Sequence, residues 1–441
     1  MFRTRIAVTG LGAVTPIGQN VEEFWQSLLA GRSGVAAVRS FPTGGFQPAY
    51  ASEVKDFAPE RAGLPRKKLK VMGRHAQLAY VAALQACSDA GLTGDGTTPN
   101  ASRFGIVLGV GMLNADVMEL GRAFYAAAHA STREPDAHAG EQESFDPVTF
   151  GRYASAELFP LWLLRHIPNL AAAHTSIALD AQGPSNTITT GCVSAANAIG
   201  EAARLIARGA ADVMLAGGAD ARVSPLAMLR YRELGWLATR DDVDPEAVSA
   251  PFDEDATGFV DGEAAGVLVL ESLEHARARG ARIYAELASY AAANDAHELL
   301  QPHPAGRGLQ RAATRCLPPG GLHTGNVDAV FSPAPSVPAF DRAIASALAA
   351  ACGASRSGPL ITATRSIVGH THAASAAVDC IAAIKAIETS RVPPTLNLRR
   401  PIADLAFVTG GPRVAEISTA LVCAHGFGGH AAALAWHRCS G

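Results

Sequence analysis

The sequence has no excess of charge of either sign, no long apolar run and no signal-peptide pattern at its N-terminus. The 37 basic and 40 acidic residues give a formal net charge of −3. This balance offers no electrostatic case for nucleic acid or an anionic membrane surface as a partner. No stretch reaches the roughly 18 apolar residues of a membrane-spanning helix. We therefore expect a cytoplasmic protein that binds neither nucleic acid nor membrane.

Cysteine is scarce, with 7 residues in a chain of 441. The odd number and the lack of a CxxC pair argue against a disulfide framework or a zinc ribbon, and they favour a reducing compartment. A hydrophobic fraction of 48% can instead bury a large core. At this length the core is divided between two packed halves or two domains.

Short β-branched runs alternate with helical patterns along much of the chain. The first run, from Ile6, closes at Gly10-Leu-Gly12 and leads into a helical pattern through Phe24. It is not a dinucleotide fingerprint, because the third glycine and the acidic residue about 20 positions further on are missing. The pattern continues with a helix predicted over 71–91 and a buried strand over 104–109, so we predict an α/β fold that needs no cofactor.

Residues 113–173 break this alternation. The segment holds Phe124 and Tyr125, then a polar stretch through Glu134 and Glu143, and then an apolar run that contains Trp162. Loops of this length are usually functional or mobile. We interpret the segment as an insertion in the first half of the chain.

The stretch from Thr187 to Gly200 turns from a β-branched run to an alanine-rich helical pattern at Cys192. A thiol at a helix start favours the thiolate and is surrounded by backbone N–H groups, as acyl transfer through a covalent cysteine requires. The alternative is a small buried hydrophobic residue, which is the commoner role of a cysteine among alanines.

Two later stretches have the same form of strand, glycine or polar turn, and small-residue helix. One runs over 360–375 and contains Arg365 and His370, and the other runs over 419–430 and contains Gly426 to Gly429. Three such turns predict two α/β halves, 1–275 and 276–441, whose loops meet at a common cleft. The spacing of His372, His425 and His430 matches no zinc signature, so we expect no metal.

Seven motifs in order give the chain a resemblance to the β-ketoacyl-acyl carrier protein synthases of the elongating, type II kind. The motifs are Val8-Thr-Gly-Leu-Gly12, Gly191-Cys192-Val-Ser-Ala195, Ala216-Gly-Gly-Ala-Asp220, Gly258-Phe-Val-Asp-Gly262, Arg365-Ser-Ile-Val-Gly-His370, Val392-Pro-Pro-Thr-Leu-Asn-Leu398 and Gly426-Phe-Gly-Gly429. The resemblance implies the thiolase fold, two pseudo-repeated α/β halves in a five-layered α-β-α-β-α arrangement.

The resemblance also implies roles for single residues. Cys192 is the expected acyl acceptor and His370 the second catalytic histidine, while Arg365 stands where the family has a lysine. Arginine keeps the charge but replaces a compact ammonium with a planar fork. The backbone N–H groups of Cys192 and Phe427 are expected to form the oxyanion hole.

Partners follow from the same resemblance. The expected substrate carrier is an acyl carrier protein, docked in part by the basic residues Arg66, Lys68 and Lys70. Phe124, Tyr125 and Trp162 are expected to line or cap the acyl pocket. We also expect a dimer formed around 187–190, with a complete ketosynthase or with a second copy of the chain.

The first catalytic histidine of the family is missing. Counting back from Pro338 and Asp341 places Pro333 at its position, and proline has no side-chain donor or acceptor. The leading hypothesis is therefore a chain-length-factor-like half of a ketosynthase heterodimer in a type II polyketide or polyene pathway. One alternative is a free-standing acyltransferase that uses Cys192 without decarboxylative condensation, and another is a purely structural partner.

Overall fold

The computed structural model describes residues 4–44, 49–93, 99–112, 117–131, 146–317, 327–352 and 356–439. Its strands are β1 (Ile6–Val14), β2 (Ala36–Ala37), β3 (Tyr50–Ser52), β4 (Phe104–Val110), β5 (Ser185–Ile188), β6 (Val213–Ala221), β7 (Asp261–Ser272), β8 (Ala285–Asn294), β9 (Ala329–Phe331), β10 (Leu360–Thr362), β11 (Arg391–Val392), β12 (Arg413–Val414), β13 (Thr419–His425) and β14 (His430–His437).

The α-helices alternate with these strands. They are α1 (Val21–Leu29), α2 (Arg66–Leu69), α3 (Arg74–Asp89), α4 (Val117–Ser131), α5 (Pro147–Glu157), α6 (Leu170–Leu179), α7 (Ser194–Ala207), α8 (Pro225–Glu233), α9 (Leu273–Ala278), α10 (Arg307–Cys316), α11 (Pro338–Cys352), α12 (Arg365–Val368) and α13 (Ser375–Thr389).

The sheet consists of two halves with the same internal order. One half runs β5-β4-β6-β7-β1 and the other runs β10-β9-β13-β14-β8, and β1 pairs with β8 where they meet. In each half the three outer strands are parallel and the remaining pairings are antiparallel. This repeat agrees with the predicted α/β pseudo-repeat, while the boundary at residue 275 stays a prediction.

Three helical layers separate and cover the two halves of the sheet. Helices α7 and α13 lie between the halves, and α13 is buried from Ser375 to Ile387. Helix α3 covers β1 and β7 on one outer face, and α10 covers β8 and β14 on the other. Alanine is the commonest residue in both α7 and α13, and its small side chain helps two helices pack between sheets on both sides.

The two central helices begin in the same way. A 3-10 turn, Gly191–Val193, precedes α7, and a second 3-10 turn, His372–Ala374, precedes α13. The first residue of each turn has a left-handed backbone, with φ of +61° at Gly191 and +45° at His372. The two turns pack against each other, so the start of each helix faces the other at one end of the central layer.

The segment that the sequence presented as a long irregular insertion is largely helical where it is described. It contains α4, α5 and a 3-10 turn at Trp162–Arg165, while 113–116 and 132–145 lie outside the described residues. The Asp146 carboxylate caps α5 by accepting hydrogen bonds from the N–H groups of Val148 and Thr149. The capping residue directly follows a polar stretch. That stretch interrupts the apolar periodicity, so the pattern did not predict the helix. None of the described helices is long and apolar enough to cross a bilayer.

A close backbone approach fixes the height of α7 above the sheet. A Cβ added to Gly109, on β4, would lie 2.3 Å from the backbone of Ser194 and Ala195. The Gly109→Ala variant should therefore lower the free energy of unfolding by about 1–3 kcal/mol through overpacking. Gly121→Ala on the exposed face of α4 is the matched control, because its added Cβ meets nothing within 4 Å.

The control should be neutral or stabilising by about 0.5–1 kcal/mol, since alanine is the better helix former. Denaturant unfolding of the two variants beside the parent chain measures both changes. Equal stability of the two variants would show that the contact between Gly109 and α7 is not tight.

Candidate active site

Cys192 lies at the junction of β5 and α7, on the 3-10 turn that precedes the helix. The turn is fixed by the Ser194 hydroxyl, which donates to the carbonyl of Gly191 (2.6 Å) and accepts from the N–H of Thr190 (2.9 Å). Only 3% of Cys192 is exposed. The sequence prediction of a cysteine at a helix start is thus correct in its geometry.

His370 lies directly against the cysteine. Its Nε2 is 3.2 Å from Sγ of Cys192, across 178 residues of sequence. The backbone of His370 is held between two hydrogen bonds, from its N–H to the carbonyl of Val260 (2.8 Å) and from the N–H of Gly262 to its carbonyl (3.0 Å). Burial lowers the pKa of His370 well below its usual range, and the charges of His372 and Arg365 add to the effect. A neutral imidazole therefore faces the thiol.

A second histidine, His372, completes the cluster. Its Nε2 lies 2.7 Å from Oδ1 of Asp261, and its ring stacks on Tyr231 with centroids 5.2 Å apart. Burial opposes a charge on this ring, but Tyr231 and Asp261 outweigh it and hold the pKa of His372 well above its usual range. The two histidines thus differ in charge although their ring centroids are only 4.5 Å apart.

Arg365 does not contact the cysteine but supports the loop opposite it. Its Nη1 donates to the carbonyl of Ser332 (2.9 Å) and lies 3.0 Å from Oδ2 of Asp379 on α13. Burial raises the pKa of Asp379, and the arginine and Thr364 oppose that shift. Pro333 is buried at the end of β9, next to the carbonyl that Arg365 holds. The charge of the family's lysine is therefore kept in a buried ion pair.

The glycine loop after β13 closes the other side of the site. A Cβ on Gly426 would lie 3.4 Å from the backbone nitrogen of Cys192, so the loop passes directly beside the nucleophile. The Phe427 ring stacks on Trp236 with centroids 4.0 Å apart, and Gly428 donates its N–H to the carbonyl of Leu299. The loop is close enough for the predicted oxyanion hole, which stays a prediction.

A buried contact between a histidine and a carboxylate anchors the base of this loop. Nε2 of His425 lies 3.2 Å from Oδ2 of Asp295. Although burial opposes ionisation, hydrogen bonds from His425 and from the N–H groups of Gly308 and His303 lower the pKa of Asp295 to about 2. The carboxylate is therefore charged, and it ties the end of β8 to the end of β13.

One cluster in the described part of the chain has the spacing of a metal site. The ligand atoms of Cys192, His370 and His372 all lie within 4.8 Å of one another. The thiol of this cluster is also the nucleophile that the sequence predicts. His425 and His430 lie apart from it, the first on Asp295 and the second beside Asn294.

The predicted docking and pocket residues lie outside this cluster. Arg66 and Lys70 are exposed at either end of the short helix α2, and Lys68 is half-buried. Phe124 and Tyr125 are 48% and 67% exposed on α4. Trp162 is half-buried beside His166. Their roles in docking and in the acyl pocket stay predictions.

Sequence reasoning missed Asp261, His372, Tyr231 and Asp379. His372 was considered only as a metal ligand, together with His425 and His430. In the structure it lies instead beside Cys192 and His370. The available signal was its place two residues after His370, on the same turn. Asp261 lies in the Gly258–Gly262 motif, but its contact with His372 gave no signal, because the two residues are 111 positions apart and are brought together by the pairing of Asp261 with His370.

Comparison with known proteins agrees with this site. The family model of the β-ketoacyl synthase N-terminal domain matches residues 3–276, and that of the C-terminal domain matches 284–399. The 3-oxoacyl-[acyl-carrier-protein] synthase 2 of Synechocystis sp. is 35% identical over 438 residues, covering 99% of this chain and 98% of the relative. The corresponding synthase of Coxiella burnetii is 33% identical over 431 residues, covering 97% of each chain.

Solved structures give the same result. The ishigamide ketosynthase/chain length factor superposes with a TM-score of 0.83 at 30% identity, over 99% of this chain and 100% of that one. A type II polyketide ketosynthase, solved with its acyl carrier protein and bound to a hexaketide, gives a TM-score of 0.81 at 28% identity over the same shares. The predicted thiolase fold is confirmed, and the chain belongs to the β-ketoacyl synthase family.

Proposed function

We propose that Cys192 accepts an acyl group from an acyl carrier protein, and that the chain is the chain-length-factor-like half of a ketosynthase heterodimer in a type II polyketide or polyene pathway. The observation that carries this proposal is an intact contact between Cys192 and His370 combined with Pro333 in place of a histidine. The site keeps the cysteine and the neighbouring histidine that acylation needs, and it lacks the further histidine that condensation needs. The similarity to a ketosynthase/chain length factor supports the pairing.

The parts needed for acylation are all present around the sulfur. Attack on a thioester requires a thiolate and donors for the oxygen that becomes negative. The helix start at Cys192 and the neighbouring Gly426-Phe427 backbone supply N–H groups on one side. A neutral His370 at 3.2 Å supplies a hydrogen-bonding partner on the other.

Decarboxylative condensation makes a further demand. Two polar donors must hold the malonyl thioester oxygen while carbon dioxide leaves, and Pro333 provides none. Arg365 does not contact the cysteine: its Nη1 donates to Ser332 and lies against Asp379, while its buried Nε has no hydrogen-bond partner among the described residues. A complete ketosynthase would supply the condensing site of the pair.

A second candidate function is acyl transfer from Cys192 to an acceptor other than malonyl carrier protein. It is favoured by the pair of His372 and Asp261 beside the nucleophile. Such a pair supplies proton transfer, which acyl transfer to a hydroxyl, thiol or amine requires and decarboxylation does not.

The sheet edge formed by β5 supports a dimer. Strand β5 ends the sheet order, pairs with β4 on one side, and has exposed residues at Ser185 and Asn186. An open edge of this kind favours pairing with another chain. Phe124 and Tyr125 on α4 are also exposed, and a partner that covered them would give them the predicted role at the acyl pocket.

We expect the chain to form an obligate dimer, with its partner or with itself, because a buried two-fold interface at β5 would cover this edge. Light scattering of the purified chain, alone and with the candidate ketosynthase, measures the assembly. A folded monomer in both samples would contradict the expectation.

Arg66, Lys68 and Lys70 are proposed to attract the acidic carrier protein. They form a dense basic run around α2, and two of the three are exposed. Charges at the rim of an interface act mainly on the association rate and on its salt dependence. The alternative is an ordinary solvated surface.

Incubation with an acyl-loaded carrier protein should add one acyl group to the chain, and the Cys192→Ala variant should gain none. Malonyl carrier protein should then yield no β-ketoacyl product from the isolated chain, because the loss of one positioned histidine removes roughly 10²- to 10⁴-fold of rate. Intact mass spectrometry follows both steps.

The complete ketosynthase serves as the positive control for condensation in the same assay. Efficient condensation by the isolated chain would contradict the assignment of Pro333 and the heterodimer. Failure of the wild-type chain to become acylated would leave only the purely structural role.

A further inference from the structure

His372 has features that packing alone does not require. It is 1% exposed, and its backbone has φ of +45°, a conformation that suits glycine. The equivalent residue in the turn before α7 is Gly191, with φ of +61°. A glycine would adopt this backbone conformation more easily, so the shape of the turn does not explain why the residue is a histidine.

The side chain is held in one orientation by two neighbours. Nε2 of His372 faces Oδ1 of Asp261 at 2.7 Å, and the ring lies nearly parallel to Tyr231, at an interplanar angle of 15°. The other carboxylate oxygen of Asp261 has no hydrogen-bond partner among the described residues. A buried carboxylate with so few donors needs a positive partner, and His372 is the group placed to provide it.

The ring also lies near the nucleophile. A ring nitrogen of His372 lies within 4.8 Å of Sγ of Cys192, and Cys192 is one of the groups that raise the pKa of His372. Because Nε2 is bound to Asp261, the other nitrogen is the one available to the sulfur. Asp261, His372 and Cys192 therefore form a chain of carboxylate, imidazole and thiol, the arrangement by which a base is oriented toward a nucleophile.

We propose that His372 is a further catalytic residue of this site, positioned by Asp261, and that it exchanges a proton with the groups that give up and receive the acyl chain. This inference rests on the proposed acylation of Cys192 and develops the second candidate function. The acceptor it implies is a molecule that brings its own proton, in an O–H, N–H or S–H group.

His372 gives up one proton when Cys192 is acylated and recovers one proton when the acyl group passes to the acceptor. In the proposed scheme, acylation begins from the imidazolium of His372 and the thiolate of Cys192. The thiolate attacks the carrier-protein thioester, the bond from the acyl carbon to the carrier sulfur breaks, and His372 gives its proton to that sulfur. The carrier leaves as a free thiol, and His372 is neutral.

In the second half-reaction, the discharge of the acyl group from Cys192 to the acceptor, the proton moves in the opposite direction. The acceptor attacks the acyl group on Cys192, its proton passes to His372, and the bond from the acyl carbon to Sγ breaks. The thiolate and the imidazolium are restored. A carbanion made by decarboxylation brings no proton, so it would leave His372 neutral, and this is why the geometry favours a protic acceptor.

The two histidines have different proposed roles because their surroundings shift their pKa values in opposite directions. The pKa of His370 is lowered first by burial, whereas Tyr231 and Asp261 raise that of His372 despite burial. The charged and titratable groups that face His372 from all packed elements are Asp261 on β7, Tyr231 on α8, Cys192 before α7, His370 on its own loop, and the ion pair of Asp220 and Arg222 at the end of β6.

The pH dependence of the two half-reactions should have opposite signs. Acylation uses the protonated form of His372, so its rate should fall as pH rises through the pKa of that group, above 6.5. Discharge uses the neutral form, so its rate should rise over the same range. Asp261→Asn removes the charge that favours the imidazolium, so both midpoints should move to lower pH.

The test uses the full-length chain and N-acetylcysteamine as a thiol acceptor. The acyl-enzyme is prepared by long incubation with the acyl-loaded carrier protein and freed from it, and its discharge is followed by intact mass in single turnover from pH 5.5 to 9. At pH 8, His372→Gln should discharge roughly 10²- to 10³-fold more slowly than the wild type, whereas Asp261→Asn should show its discharge midpoint at lower pH.

His275→Gln is the matched control. Nδ1 of His275, on α9, lies 2.6 Å from Glu271 on β7, so it also forms a histidine–carboxylate pair. Glu271 is ten residues after Asp261 on the same strand, which places that pair roughly 33 Å from the site. Its discharge rate and midpoint should equal those of the wild type.

The outcomes separate this inference from the proposed function. A wild-type chain that is never acylated overturns the proposed function itself. A wild-type chain that is acylated, but whose discharge does not rise with pH above 6.5, overturns the role of His372, and this measurement needs no variant to fold. Variants that discharge as fast as the wild type, with an unmoved midpoint, also overturn it.

Discussion

The site depends on the packing of the first turns of α7 and α13 against each other. Each helix lies between the two halves of the sheet, and each is preceded by a 3-10 turn whose first residue has a positive φ. Gly109 lets the backbone of the first helix approach β4, and the small residues of both helices allow the whole layer to be buried. Cys192 and the turn of His370 and His372 meet because the fold repeats the same strand, turn and helix twice.

Buried charged groups surround this site, and several of them have a specific partner. Arg365 is paired with Asp379, Asp220 with Arg222, and Asp295 with His425. Breaking such a pair leaves a buried charge without compensation, which is strongly destabilising. These pairs hold the loops that surround Cys192. The same contacts therefore set the charges near the site and stabilise the loops around it. The loop that carries Pro333 is held in this way, through the carbonyl of Ser332, although it contributes no catalytic side chain.

The sequence was sufficient for the features that depend on local pattern. The helix start at Cys192, the buried strands and the repeated turns follow from periodicity and from glycine positions, and the family motifs add His370, Arg365 and the Phe427 loop. The contact between Asp261 and His372 was not predictable, because it joins residues 111 positions apart and depends on the register between the first residue of β7 and the loop after α12. Helices α4 and α5 were missed for another reason: polar residues interrupt the pattern, and a single capping aspartate marks the start of α5.

The central claim is that Cys192 carries the acyl chain with its carbonyl oxygen in the space between two backbone N–H groups. The most direct test is a crystal structure of the chain after loading by an acyl carrier protein. The account predicts a thioester on Sγ of Cys192, with the acyl oxygen about 2.7–3.1 Å from the backbone nitrogens of Cys192 and Phe427. An acyl group on another residue, or an acyl oxygen directed away from both nitrogens, would contradict it.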